Sequence, residues 1–261
     1  YMIDNHLNWL THVPGRPQKS QRDEVSICFS HSRNCRPLDA VDLTRMYLEG
    51  REQADILSKF IKRNIPGFED SYLIDTGSLL GVRESRRVVG EYVLKTMDVV
   101  RANTFEDTIA ITGHHLDLHN PDGPGNIKWA ELEIDGKTCY VSTLGKVGSW
   151  PPPTGWDSIT DGWGRSGDQF QKKRLPTSIP YRSLVPLKID NLLVAGRCLS
   201  AEFMAQACCR LILACINMGQ AAGTATAMSL KQNIVPRKVD HKLLRQQLLA
   251  DGCEIGQTFN L

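Results

Sequence analysis

The spacing of apolar residues predicts one long amphipathic helix in the first quarter of the chain. Asp39 is suited to cap it, and Pro66-Gly67 ends it. Steps of three and four residues put the apolar side chains of this stretch on one helix face. These are Leu43, Met46, Tyr47, Ala54, Leu57, Phe60 and Ile61. The first 38 residues are polar with little periodicity, so we expect a loop there, with one strand around Val25–Phe29.

Beyond the long helix the sequence becomes β-branched and alternating, which is typical of strands. We expect strands within Tyr72–Leu94, on both sides of Glu84–Arg87, and again at Thr108–Thr112 and His115–His119. A short helix is predicted at Thr96–Val100, with Thr96 as its cap.

Turn-forming residues divide the middle of the chain. Asp135-Gly136 separates two strand-like segments, 130–134 and 137–143, and this dipeptide favours a two-residue hairpin turn. Residues 149–168 are rich in Gly, Pro and Trp, which predicts a loop.

The last third of the chain has the pattern of an α/β protein. Leu192–Ala195 predicts a buried strand, and Arg210–Leu230 predicts a buried helix. Lys238–Ala250 predicts an amphipathic helix that Asp240 caps and Gly252 ends. The whole chain is therefore expected to be of mixed class, α+β or α/β.

Charge and hydropathy exclude two kinds of partner. The 261 residues carry 31 Lys and Arg against 29 Asp and Glu, a net charge of +2. No basic run is long enough for a nucleic-acid footprint. No apolar stretch approaches the roughly 20 residues of a membrane span. We therefore expect a small-molecule substrate, no nucleic acid and no membrane, and leave a homo-oligomer open.

The cysteines point to a reducing compartment. There are eight, with no C-x-x-C pair, and three of them fall in one predicted helix, where they behave as small apolar residues. Reduced thiols fit this pattern better than a disulfide framework does, so we expect a cytoplasmic protein.

One motif match is coincidental. Residues 162–167 read Gly-Trp-Gly-Arg-Ser-Gly and fit the G-x-G-x-x-G pattern letter for letter. That pattern binds a pyrophosphate only when a buried strand precedes it and a helix follows. Here neither flank has that character, so we assign the match to the loop.

A histidine cluster offers a second kind of chemistry. On a strand, His115, Asp117 and His119 share one face because side chains alternate. Two imidazoles and a carboxylate are suitable ligands for zinc or iron, so a metal-dependent hydrolase is one alternative. A polar strand face satisfied by hydrogen bonds, without metal, is the other interpretation.

Two further segments carry candidate polar chemistry. Residues 81–87 place Arg83, Arg86 and Arg87 around Glu84, either as an internal ion pair or as a fork for an anionic substrate. Ile179-Pro180-Tyr181-Arg182 offers a proton donor and a cation, or simply a turn that anchors the tyrosine in the core.

Four blocks, in this order, resemble one family. They are residues 81–87 with 90–92, residues 117–123, residues 179–186, and residues 190–198 completed by the helical segment 219–223. The combination is similar to the FAD-dependent oxidoreductases of the glutathione-reductase-related superfamily, specifically a large bacterial group. The similarity extends from about residue 40 to the C-terminus.

The resemblance implies a split FAD-binding domain with a substrate domain inserted between its halves. Residues 1–185 would form the substrate domain, and 186–261 the C-terminal FAD lobe. The N-terminal βαβ unit with its G-x-G-x-x-G motif would come from polypeptide outside this chain, so this chain alone would bind FAD weakly or not at all.

The resemblance also implies which residues meet the cofactor. Ala195 and the turn Gly196-Arg197-Cys198 would lie against the pyrophosphate and ribitol. The helix start at Arg210 would face the pyrimidine edge of the flavin, where a helix N-terminus stabilises negative charge. Ser200, Gly219 and Gly223 complete the expected cofactor contacts.

The implied reaction is hydride transfer from a small organic substrate to the flavin. Arg83, Arg86, His119, Tyr181 and Arg182 would face the ring. The arginines would bind an anionic or hydroxylated substrate, and Tyr181 or His119 would handle the proton. A third alternative is a non-catalytic binding module, because Phe203 stands where the family usually has histidine and Leu213 where it often has proline.

Overall fold

The computed structural model describes residues 18–21, 24–27, 30–113, 129–134, 137–142 and 176–256. They fall into two compact units. The first lies within residues 1–85 and 120–126, and the second within 86–119 and 127–261. The functional division expected at residue 185 stays a prediction.

The first unit is organised by one long helix, α1 (Ala40–Asn64). Its start confirms the prediction, because the Asp39 carboxylate accepts hydrogen bonds from the backbone N–H groups of Val41 and Asp42 at 3.0 and 3.1 Å. The buried Gln53 side chain bonds both backbone groups of His31 and so attaches the preceding segment to the helix. Two short strands, β1 (Gln18–Gln21) and β2 (Glu24–Ser26), pair antiparallel.

The second unit contains most of the regular structure. Its helices and strands are α2 (Thr96–Val100), β3 (Thr108–Thr112), β4 (Trp129–Ile134), β5 (Lys137–Ser142), β6 (Thr177–Pro180), α3 (Phe203–Cys209), α4 (Ile212–Gln232) and α5 (His241–Ala250). Three 3₁₀ turns connect them, at Tyr181–Leu184, Gly196–Cys198 and Pro236–Lys238.

The strands of the second unit pair in two antiparallel ladders. β3 pairs with β6, so that Thr112 faces Thr177 and Thr108 faces Pro180. β4 and β5 form the predicted hairpin, in which Ile134 faces Lys137. The turn residues 135–136 lie outside the described residues, as does the loop predicted at 149–168.

The core of the second unit gathers around β3, β6 and the C-terminal helices. Its largest fully buried side chains are Leu94, Ile109, Ile179, Leu184, Leu199, Met218, Leu244, Leu248 and Ile255. The strand at 108–112 and the helix at 96–100 are confirmed. The predicted cap is wrong by one residue, because Lys95 is the N-cap and Thr96 is already the first helical residue. The C-terminal helix is confirmed as well, with Asp240 as its cap and Gly252 in the left-handed region just beyond it (φ +81°).

Two strand predictions are wrong. Residues 72–94 hold no continuous strand, only single bridges at Gly90 and Leu94. Residues 192–195 form no strand either, and Leu192 is 42% exposed. A strand needs a ladder of partners, and in the described part of the chain a single backbone bond, from Val194 N–H to the Leu184 carbonyl, holds this segment.

The predicted helix at 210–230 forms, but it is only half buried. α4 begins at Ile212, after a break at Arg210-Leu211 that bends it by 91° from α3. One stripe, of Ala214, Met218, Ala221, Ala225 and Ser229, faces the core. The opposite face exposes Ile212, Leu213, Ile216 and Leu230, each by more than half.

Among the described helices, no single one is long and apolar enough to cross a bilayer. The bent pair of α3 and α4 reaches the required length and apolarity when the two are taken together, by length and composition only.

Close backbone packing at Gly90 joins three segments of the second unit. Gly90 N–H donates to the Ser200 hydroxyl at 2.9 Å, and Gly90 bridges to Pro186. On either side, Val88 N–H bonds the Cys198 carbonyl and Leu94 N–H bonds the Ser200 carbonyl. A Cβ at position 90 would lie 2.8 Å from Ser200 Cβ and 3.0 Å from the Val185 carbonyl oxygen. Only glycine fits there.

We predict that Gly90→Ala lowers the free energy of unfolding by about 1–3 kcal/mol, because the added methyl group overpacks a junction made of backbone. Urea unfolding measures this. The matched control is Gly219→Ala, where nothing lies within 4 Å of the added carbon and a helical alanine is favoured by up to about 1 kcal/mol. Equal stabilities for the two variants would contradict the prediction.

Candidate functional site

A tight turn at Gly196 lies against the first turn of α4. Gly196 has φ +81°, a left-handed conformation that glycine adopts without strain. A Cβ there would lie 3.6 Å from the Cys215 sulfur. The structure therefore brings together residues 195–198 and the first turn of α4, which begins 14 residues after Cys198. We predict both segments to be cofactor contacts.

The N-terminus of α4 carries no side-chain cap. Its N-cap residue is Leu211, whose side chain has no hydrogen-bonding group, and the first turn holds no acidic residue. The first backbone N–H groups of a helix need partners and carry a partial positive charge. This end of the helix, beside the Gly196 turn, is therefore suited to a negatively charged or hydrogen-bond-accepting group.

Two thiols lie at the same turn. The Cys198 thiol donates to the Ala195 carbonyl at 3.4 Å, and the Cys215 thiol donates to the Arg210 carbonyl at 3.3 Å. Burial raises the pKa of Cys215, the Arg197 guanidinium lowers it, and the Cys198 thiol raises it. Arg197 itself is exposed.

The other predicted cofactor residues are spread over the C-terminal part. Ser200 is fully buried, and its hydroxyl accepts the Gly90 N–H. Arg210 is half-buried at the break between α3 and α4. Gly219 and Gly223 lie on the exposed face of α4, with nothing within 4 Å of an added Cβ.

Tyr181 is anchored in the core. Its side chain is 3% exposed, and its hydroxyl donates to the Pro236 carbonyl at 2.9 Å. Burial raises the pKa of the phenol, and the Glu91 carboxylate raises it further. Its role as a proton donor to substrate stays a prediction, and the geometry favours a structural one.

Arg182 forms a two-pronged ion pair that sequence reasoning missed. Its Nε and Nη2 donate to the Asp107 carboxylate at 2.9 and 3.1 Å, and its backbone N–H donates to the same carboxylate. The hydrogen bonds of Asp107 raise the pKa of Arg182. The guanidinium also lies 5.2 Å from the Tyr92 ring centre. The signal was an acidic residue directly before the buried strand β3.

The half-exposed face of Arg182 borders a cleft of about 490 Å³. Its wall consists of Glu91, Thr104, Phe105, Glu106, Asp107, Tyr181, Arg182, Arg237, Val239 and His241. Nε and Nη2 of Arg182 are engaged by Asp107, which leaves Nη1 as the donor available to an anion. The Gly196 turn does not line this cleft.

Arg237 closes the other side of the cleft and was also missed. Its guanidinium donates to Asp190 at 2.7 Å and to Glu91 at 2.8 Å. It donates as well to backbone carbonyls of the 186–189 segment. All of its nitrogens are therefore occupied. The available signal was Arg237 itself, which stands with Lys238 in a stretch, 234–239, whose other residues, Pro236 among them, are apolar.

A third missed contact involves Glu202. Its carboxylate accepts the Thr96 backbone N–H at 2.7 Å, at the N-terminus of α2. The Glu202 side chain therefore caps the start of α2 from another segment of the chain.

Two of the remaining predicted residues lie in the described part of the chain. Arg83 belongs to the first compact unit and Arg86 to the second, where it is exposed. His115, Asp117 and His119 lie outside the described residues. Within the described ranges, no group of three or more His, Cys, Asp or Glu side chains is arranged to hold a metal ion.

Comparison with protein families decides the identity. Residues 5–142 and 152–248 match the family described as FAD dependent oxidoreductase. The chain belongs to this family. FAD is accordingly its cofactor, and flavin-dependent oxidation–reduction is the general function of this FAD-dependent oxidoreductase. No curated protein and no solved structure shows a significant similarity to it.

The residues at the Gly196 turn fit such a cofactor. A flavin is flat and largely apolar, with a pyrimidine edge that accepts hydrogen bonds and carries negative charge on reduction. The start of α4 has no side-chain cap, so its backbone N–H groups would suit such an edge, and the exposed Ile212 and Leu213 would suit an apolar ring. The glycine at position 196 allows close backbone approach.

We predict that Tyr181→Phe lowers the free energy of unfolding by about 1 kcal/mol, because the buried Pro236 carbonyl loses its donor. Chemical denaturation measures the change. Tyr47→Phe is the control, since the hydroxyl of the half-buried Tyr47 makes only two longer bonds, each of 3.3 Å. A loss no larger than that of the control would argue against the anchoring role of Tyr181.

Proposed function

We propose that this oxidoreductase takes a hydride from a small organic substrate and passes it to FAD. The observation that carries the proposal is the uncapped N-terminus of α4 beside the left-handed Gly196 turn. When bound, the flavin supplies the hydride-accepting centre. The chain's own residues hold the cofactor, exclude water and bind the substrate.

The helix start would act on the pyrimidine edge of the ring. Free N–H groups at residues 212–214 and the positive end of the helix dipole favour negative charge there. This is an electrostatic contribution made by backbone, so it does not depend on a titratable side chain. It is compatible with Leu213 at a position where the family often has proline.

The exposed face of α4 would pack against the ADP-binding half of a split FAD domain. Ile212, Leu213, Ile216 and Leu230 form an apolar surface on a helix whose other face is already in the core. Large apolar side chains exposed on one helix in this way are compatible with an interface. Gly219 and Gly223 would allow a close approach on that face.

Arg182 is the best-supported candidate for binding an anionic or hydroxylated substrate. It is half-exposed, it borders the cleft, and Asp107 and the Tyr92 ring fix its orientation. A guanidinium held in this way still offers Nη1 to a carboxylate. Arg83, Arg86 and His119 stay candidates for the same role or for proton transfer.

A charge placed at the helix start tests the cofactor proposal. Ile212→Asp and Ile212→Asn differ only in charge, and position 212 is 77% exposed, so both variants should fold. We predict that reduced FAD binds about fivefold more weakly to the Asp variant than to the Asn variant, because the aspartate and the anionic reduced ring, close together in water, repel by about 1 kcal/mol. An anaerobic titration of reduced FAD, followed by absorbance, measures the affinity.

Stability serves as the internal control for this experiment. An aspartate in the first helical turn should stabilise α4 by about 0.3–1 kcal/mol through the helix dipole. A weaker FAD complex in a more stable protein therefore reports the site and not the fold. If the two variants bind FAD equally well, the pyrimidine edge does not lie at this helix end, and the assignment fails.

A further inference from the structure

Cys198 and Cys215 lie on the two sides of the contact between the Gly196 turn and α4. Cys198 ends the 3₁₀ turn at 196–198, and its thiol folds back onto the Ala195 carbonyl. Cys215 lies in the first turn of α4, and its sulfur would touch a Cβ at Gly196 at 3.6 Å. Both thiols therefore border the same short stretch of backbone, residues 195–196.

The two thiols are also accessible, unlike their neighbours. Cys198 and Cys215 are half-buried, whereas Cys208 and Cys209 are fully buried in α3. Burial inside an apolar core keeps a thiol inert, and partial exposure beside a cation favours reaction. Arg197, between Gly196 and Cys198, supplies that cation; it partly offsets burial, which keeps the pKa of Cys215 above its usual value.

We propose that Cys198 and Cys215 are a redox-sensitive dithiol that small disulfides of the glutathione class convert to an internal disulfide. The absence of a side chain at Gly196 is what lets α4 approach the turn closely enough. The site lies at the contact proposed for the flavin, but the chemistry needs no flavin and does not depend on that proposal.

The reaction balances as two thiol–disulfide exchanges. One cysteine thiolate attacks the small disulfide, its S–S bond breaks, and the first small thiolate leaves and takes the proton of the attacking cysteine. The second cysteine then attacks the mixed disulfide, and the second small thiolate leaves with the second proton. The chain loses two hydrogen atoms, and one small disulfide is reduced to two thiols.

Oxidised glutathione is the probe. The reduced, folded chain is incubated with it, free thiols are alkylated, and tryptic peptides are analysed by mass spectrometry. Cleavage after Arg197, Arg210 and Lys231 puts Cys198 and Cys215 on adjacent peptides. We expect one cross-linked species that joins residues 198–210 to 211–231, with fragmentation locating the bond at Cys198.

Single variants test the order of events. In Cys198→Ser and Cys215→Ser the second exchange is impossible, so a stable glutathione adduct should accumulate on the remaining cysteine. The wild-type chain should carry at least tenfold less adduct, because the partner thiol resolves it. Cys253→Ser is the matched control: this half-buried cysteine lies elsewhere in the unit, after α5, and the cross-link should form as in wild type.

Three results would overturn the proposal. A wild-type chain that retains a stable glutathione adduct shows that the two thiols cannot meet. A cross-link at Cys208 or Cys209 instead of Cys198 shows that a different pair reacts. Oxidation that occurs only in denaturant shows that the folded chain protects both thiols.

Discussion

The second compact unit depends on a direct backbone–backbone contact, at which no side chain separates the segments. At Gly90, the segments around residues 88–94, 182–187 and 198–202 approach to hydrogen-bonding distance. The bonds they exchange are not those of a regular sheet, yet they fix these segments to one another. Arg182 and the Gly196 turn are both in or next to segments that meet at this junction. The same contact therefore helps to position both candidate sites.

α4 is the second organising element of the unit. Its two faces differ in amino-acid composition. The core face uses small residues and one methionine, which lets β3 and the 3₁₀ turns pack close to the helix axis. The outer face carries branched apolar side chains that the described part of the chain leaves exposed. A helix of this composition is stable in a protein when both faces are covered.

Local signals in the sequence were sufficient for elements whose ends are encoded nearby. Asp39 and Asp240 mark the starts of α1 and α5 because the capping side chain bonds residues two and three positions later. The hairpin β4–β5 follows from alternation around Asp135-Gly136. The strands expected at 72–94 and 192–195 did not form because a strand is defined by its partner, and its own residues do not identify one.

The same distinction between local signals and distant partners applies to the candidate site. The glycine turn and the following helix could be expected from the sequence. The pairings Arg182–Asp107, 75 residues apart, and Gly90–Ser200, 110 apart, could not. Nothing in the sequence marks Asp107 or Ser200 as the partner of a distant residue. Only the folded chain shows that the Asp107 carboxylate accepts from Arg182 and that the Ser200 hydroxyl accepts from Gly90. Tyr181 belongs to this group, since its hydroxyl partner is a backbone carbonyl 55 residues away.

Arg237 makes the unit unusually sensitive to one position. Its planar guanidinium reaches Asp190, Glu91 and three carbonyl oxygens in different directions, a geometry that a lysine ammonium on a flexible stem does not reproduce. Substitutions are therefore expected to be tolerated better at the two acidic partners than at the arginine itself. Either acid can change while the other still neutralises the cation, whereas replacement of the arginine strands two carboxylates at once. Descendants of this chain should vary at the acids before they vary at the arginine.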